Sequence, residues 1–206
     1  MPPSVGGATD MYNVIVDRLP VTVEIDGMEV PINTDFRTGI LFEQLLNDHE
    51  VSDKERLALA LQLYYPIVPQ NVEAAIEKAA WFYSCGAGIP AKRQESAAKP
   101  SKSARRIVDY DVDCGLIYAA FLSDYKIDLV EKRDLHWWKY HALFENLSEE
   151  NRVVKIMQYR GMDLNSIKNK EQRRFYAKMQ AKYKLRPLLT REEMLERAGI
   201  MFAPKH

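Results

Sequence analysis

Asp109, Asp111 and Asp113 stand at alternate positions, as the first ligands of an EF-hand calcium loop do. That loop requires glycine at its sixth position and a bidentate glutamate at its twelfth, and those places hold Cys114 and Ala120. The three carboxylates read instead as a helix start, with Asp109 as N-cap and Asp111 and Asp113 in the first turn, where the positive helix end favours anions. His136 and His141 are five positions apart, roughly 140° around a helix, so they cannot chelate one metal as an i, i+4 pair does. His49 falls in a polar turn with no matching nucleophile. Cys85 and Cys114 have no CxxC spacing and no histidine partner nearby in sequence, which argues against a zinc site and a disulfide framework. Nucleophile-elbow, phosphate-loop and dinucleotide-loop motifs are absent from the sequence. The expectation is a protein without catalytic residues, metal or cofactor.

Two other groupings point to recognition. Lys168, Lys170, Arg173, Arg174, Lys178, Lys182, Lys184 and Arg186 alternate with Phe175, Tyr176, Met179 and Tyr183. Basic and aromatic residues together suit nucleic acid, but Phe175, Met179 and Tyr183 recur every four residues as a core-facing stripe, and no RNA- or DNA-binding signature accompanies them. A protein-docking or solvated basic face therefore ranks above nucleic acid, with Lys168, Arg173, Arg174 and Lys178 as its candidate contacts. Trp137 and Trp138 point about 100° apart on a helix. Either both lie in the core, or one fills it while the other reaches a partner. Trp137 and Tyr140 are the partner-facing candidates, and Leu135, Trp138, Ala142 and Phe121 the core.

The elements that must carry these residues follow from periodicity. Residues 21–32 alternate around Asp26-Gly27, the strongest short hairpin signal, with Val14 to Val16 as a candidate third strand and Pro31 limiting the second arm. After Asp35 the period becomes helical. Phe36, Ile40, Leu41, Leu45 and Leu46 form one face; Ser52 to Glu55 form a capping box ahead of Leu57, Ala60, Leu61 and Tyr64; Val72, Ala75, Ile76, Ala79, Ala80 and Tyr83 form a third helix ended by Gly86. Further helices are expected from Asp109 with Leu116, Ile117, Ala119, Ala120 and Phe121 buried, over 134–147, after Ser148 with Val153, Ile156 and Met157 buried, over 164–185, and after Thr190. The fold class is mainly α, α+β by strict count: an N-terminal hairpin or small antiparallel sheet on a bundle of seven to eight helices. Residues 1–10 read as a loose tail, 11–87 as the hairpin with three helices, 88–106 as a flexible basic linker, and 107–206 as a helical C-terminal part around the Trp-rich helix; the two parts could share one domain.

The 206 residues are 47% apolar and 28% charged, enough for a sizeable core and against wholesale disorder. Net charge is zero only as a sum: residues 1–150 hold 15 basic and 24 acidic side chains, and residues 151–206 hold 14 and 5. This polarity fits a nucleic-acid-binding end, a docking face for an acidic protein, or a basic helix pairing with the acidic half of its own chain. Apolar runs fall short of the roughly 20 residues a membrane crossing needs, and no signal-peptide pattern opens the chain. Unpaired cysteines fit a reducing compartment.

Tyr110-Asp-Val-Asp113, Leu116-Ile-Tyr-Ala-Ala-Phe121, Ile127-Asp-Leu129, Leu135-His-Trp-Trp-Lys139 and Ala142-Leu-Phe144, in that order and spacing, resemble the bacteriophage gene-product-fifteen family of long-tailed phages. The likeness extends more loosely over most of residues 11–190. It implies a protein of the tail gene module, in the position of a tail assembly chaperone that keeps the hydrophobic, helical tape-measure protein soluble in the host cytoplasm until tail-tube subunits polymerise. It implies the tape-measure protein as partner, with the tail-tube protein and self-association as further associations, and no catalytic residues. A structural tail component and a nucleic-acid-binding protein are the alternatives.

Overall fold

The computed structural model describes residues 13–48, 50–87 and 106–185, and among them one two-stranded sheet and seven α-helices. The fold is mainly α with a small N-terminal antiparallel sheet, as the periodicity implies. The tail 1–10, His49, all of the expected 88–106 linker except Arg106, and the helix expected after Thr190 lie outside the described residues. The chain divides into two compact units, each described by itself.

In the first unit, β1 (Thr22–Ile25) pairs antiparallel with β2 (Met28–Pro31), from Ile25↔Met28 at the turn to Thr22↔Pro31. Asp26 (φ 53°) and Gly27 (φ 76°) both take positive φ, as a type I′ turn demands. Val23 and Ile25 are buried and Glu24 faces out. The expected third strand is absent: Val16 and Asp17 donate their N–H groups to Asn13 O, 3.1 and 2.8 Å, so residues 13–17 close a turn instead of offering a free edge. Three helices follow, α1 (Phe36–Asn47), α2 (Asp53–Tyr64) and α3 (Val72–Tyr83). Their inward faces are narrower than the apolar spacing suggests. Phe36, Gly39 and Phe42 are the buried positions of α1, whereas Leu41 and Leu46 are about half exposed. The reason is Gly39, where a Cβ would lie 2.2 Å from the Trp137 ring; the helix rotates its one bare position under an indole. Likewise Leu61 and Tyr64 are buried in α2 but Leu57 is not, and Ala75, Ala79 and Phe82 are buried in α3 but Val72 is not.

The segment Asp134–Ala142 belongs to this first unit, although the sequence suggested a place at the centre of the C-terminal part. An isolated antiparallel bridge, Asp35↔His136, brings it there, with Phe36 N–H donating to Leu135 O (2.9 Å) and Trp137 N–H to Thr34 O (2.7 Å). Those extended-chain bonds also explain why α5 (Trp137–Glu145) starts three residues later than Asp134.

The second unit contains α4 (Cys114–Tyr125), α6 (Arg152–Gly161) and α7 (Lys170–Lys182). Ile117, Ala120 and Phe121 of α4 are buried with Val153 and Ile156 of α6; Ala119 is exposed and Met157 half-buried. Three helix starts differ from expectation. Asp109 does not cap a helix but holds a turn, its Oδ1 accepting from Asp111 and Val112 N–H. Ser148 is followed by a turn, and α6 begins after Asn151. Asn169 starts α7 six residues beyond Leu164, because its side chain accepts the amides of Glu171 (2.9 Å) and Gln172 (3.0 Å).

Candidate functional site

The most developed polar centre of the second unit surrounds Arg160, in the last turn of α6. Val153, Ile156 and Arg160 share one face at helical spacing, so the guanidinium enters the core where an apolar residue would otherwise stand. Among its bonds, Nη1 and Nη2 donate to the two carboxylate oxygens of Asp113 (2.5 and 3.1 Å), Nη1 also to Ile107 O (3.0 Å), and Nε to Tyr183 O (2.7 Å). Asp113, 1% exposed, further accepts the Asp109 N–H (3.0 Å), and Asp109 pairs with Arg106 at 2.9 Å. Two of the three carboxylates that mimic a calcium loop, those of Asp109 and Asp113, thus serve the chain's own cations and amides. This fork ties the entry to α4 and the end of α7 to α6. The sequence reading missed it; a lone arginine on an apolar stripe was the available signal.

The Leu135-His-Trp-Trp block is a structural device of the first unit. Chain reversal after α3 forms a Schellman motif, with Gly86 N–H on Trp81 O and Cys85 N–H on Phe82 O, and Cys85 (φ 54°) in the left-handed position usual for glycine. The two indoles then donate to consecutive carbonyls at that helix end, Trp138 Nε1 to Phe82 O (2.7 Å) and Trp137 Nε1 to Tyr83 O (2.9 Å). Both tryptophans are therefore buried. Trp137, 2% exposed, and Tyr140, 0% exposed, are not on a partner-facing surface as anticipated: Trp137 stacks between Tyr83 and Tyr140, and Tyr140 stacks on Phe36. Leu135, Trp138 and Phe121 are buried as core residues, while Ala142 is only half-buried.

His136 is held in one neutral tautomer. Its Nδ1 accepts the Trp138 N–H (3.1 Å), so Nε2 carries the proton donated to Pro20 O (3.0 Å). Burial lowers its pKa below the ordinary imidazole value, with Lys139 adding to the shift and the Pro20 bond opposing it. The unfolded chain takes up its proton near the ordinary value of 6.5, while the folded chain resists until lower pH. Over that interval the unfolded state binds more protons. Stability is thus fully present above 6.5 and falls as pH drops through it, levelling off below the folded value. Urea midpoints are expected to decline between neutral and mildly acidic pH in the parent more steeply than in His136→Gln; parallel profiles would refute the assignment.

The basic helix α7 has no buried residue along its 13 positions. It leans on α6 through rings around Tyr159, with Phe175, Tyr176 and Tyr183 centroids 6.0 to 6.1 Å away. The expected core stripe is only partly inward: Met179 and Tyr183 are half-buried and Phe175 is 48% exposed. Lys168, Arg173, Arg174 and Lys178 are exposed, and Arg173 bends back to donate twice to Ile167 O (3.1 and 2.9 Å). Arg174 and Lys178 form no ion pair among the described residues. Among those residues there is also no cluster of three metal-ligating side chains, and no helix is long and apolar enough to cross a membrane.

Together these features define a small helical protein with a β-hairpin, a buried arginine fork and one surface-lying basic helix. The family model described as Bacteriophage Gp15 protein matches residues 15–185 of the 206, and the chain belongs to that family of bacteriophage proteins. No curated protein and no solved structure matches it.

Proposed function

We propose that this chain is a non-catalytic phage tail-assembly protein that acts in the host cytoplasm and binds the tape-measure protein before the tail tube forms around it. The family assignment supports a phage structural or tail-related role. The observation that carries the partner-binding part is α7, a helix whose Tyr176 and Tyr183 rest on α6 while Arg174 and Lys178 are exposed and Phe175 is half exposed. The partly exposed Phe175 ring among cations offers apolar contact for affinity and charge for steering toward an acidic or amphipathic client helix.

Co-expression is the direct test: the chain should convert an insoluble tape-measure fragment into a soluble complex that survives moderate salt, since screening weakens exposed charge contacts more than apolar ones. Reversing Lys168, Arg174 and Lys178 to glutamate should slow association more than it speeds dissociation, while Phe175→Ala should mainly speed dissociation. Arg173 is left intact because it holds Ile167 O. Failure to solubilise any fragment, with abundant protein in mature particles, would favour a structural tail component instead. A salt-sensitive DNA mobility shift abolished by the same reversals would favour nucleic acid.

A further inference from the structure

The hairpin in the first unit carries an edge that the tail-assembly reading does not use. Ile25 and Met28 flank the two-residue turn, so hydrogen-bonded and non-hydrogen-bonded pairs alternate from that point. The Ile32 N–H bond to Val21 O, 3.1 Å, keeps the same phase. Glu29 therefore turns both its N–H and its C=O away from β1, and Pro31 turns out its C=O alone. The phase also makes Glu24↔Glu29 a non-hydrogen-bonded pair, the closer kind, on the exposed face. Like charges directly opposite destabilise a hairpin. Neither carboxylate has an ion-pair or hydrogen-bond partner among the described residues, and residues 21–32 contain no Lys or Arg.

The opposite face of the same edge is apolar. Met28 and Val30 of β2, with Ile25, border a groove of about 350 Å³ whose far wall is Pro66, Ile67 and Pro69. Met28 is 65% exposed and Ile67 83% exposed, so the groove has an apolar mouth. Its only charged lining residues are Asp26 and Glu29, both acidic.

We propose that β2 is the docking edge for an extended peptide in which basic and apolar residues alternate. A strand added beside Glu29 exchanges main-chain bonds with it and sends successive side chains to opposite faces. One set enters the groove between Val30 and Ile67. The other lies beside Glu24 and Glu29, where a cation removes the repulsion that the free hairpin carries. Pro31, with no N–H to offer, ends the added pairing and keeps the engaged segment short.

The test uses the full chain and a fluorescein-labelled peptide of alternating lysine and valine, read by anisotropy. Saturable binding is expected, weakening with added salt, and about tenfold stronger than for an alternating glutamate and valine peptide. Backbone N-methylation of the lysine–valine peptide should abolish binding, because strand addition needs its amides. Glu24→Lys with Glu29→Lys should invert the charge preference, and Ile67→Asp should weaken both peptides. Glu29→Lys alone should raise the melting temperature by pairing with Glu24, which checks the like-charge cost independently of any ligand. Equal binding of the two peptides, retention of the original preference after charge reversal, undiminished binding of the N-methylated peptide, or stronger binding of a helical lysine–leucine peptide would overturn the proposal. Concentration-dependent self-association lost in Ile67→Asp would overturn it in favour of a second copy as occupant.

Discussion

Arg160→Ala is expected to cost about 3–5 kcal/mol of folding stability, because it leaves the Asp113 carboxylate buried without its cation. The loss is not confined to one pair. The guanidinium also satisfies Ile107 O and Tyr183 O, so its removal strips donors from carbonyls before α4 and at the end of α7. Arg160→Lys should recover little, since one ammonium cannot reproduce a planar fork aimed at two carboxylate oxygens and two carbonyls. Asp113→Asn should be milder than Asp113→Ala, because an amide oxygen can still accept the Asp109 N–H. Arg160→Met with Asp113→Leu should cost less than the two single losses added, since no buried charge is then left alone. Urea unfolding of the double mutant beside Arg160→Met and Asp113→Leu alone measures the cycle, and in Arg160→Ala hydrogen exchange should show the faster opening at residues 107–113 and the end of α7. Additive losses in the cycle, or a normal midpoint for Arg160→Ala, would show that the fork contributes no coupling.

The same centre shows where sequence reasoning reaches its limit. Local signals were legible: Asp26-Gly27 gave the turn, Gly86 marked the end of α3, and the period change after Asp35 gave the helices. Pairings between distant residues were not. Asp109, Asp111 and Asp113 read as capping residues because helix starts favour carboxylates, and nothing near them in the chain announces that Asp113 meets a cation 47 residues away. Asp35↔His136 similarly converts the first turn of an expected helix into extended chain through bonds between segments about a hundred residues apart. Helix faces drifted for a related reason. Apolar periodicity finds the side that can be buried, but Gly39 has no side chain to count and became the contact point because an indole needed the space. Among the site candidates, the four cations of the basic segment lie on the surface, as a docking face requires. Trp137 and Tyr140 do not, because residue type alone cannot distinguish an aromatic that meets a partner from one that finishes a helix end within the same chain.

That distinction gives the second large effect. Trp138→Ala should destabilise by roughly 3–5 kcal/mol, the usual range for truncating a large buried aromatic. Trp138 packs edge-on against Trp81 at 5.5 Å and beside Phe82 at 5.7 Å, and these rings would line the space left behind. Trp138→Phe separates packing from hydrogen bonding. It retains much of the apolar volume but loses the Nε1 donor, while Phe82 O keeps the Cys85 N–H, so the cost should fall to about 1–2 kcal/mol. Trp137→Phe should behave similarly at Tyr83 O, with the Gly39 contact partly preserved by the smaller ring. If these indoles instead formed a partner surface, truncation would leave the melting temperature of the free protein unchanged and weaken only client binding. The cap geometry predicts the reverse order: stability falls first, and binding by α7 is retained in any variant that still folds at the assay temperature. Thermal and urea unfolding of the three variants, set beside their recovery of a soluble tape-measure fragment, distinguishes the two, and an unchanged melting temperature for Trp138→Ala would return the pair to the interface.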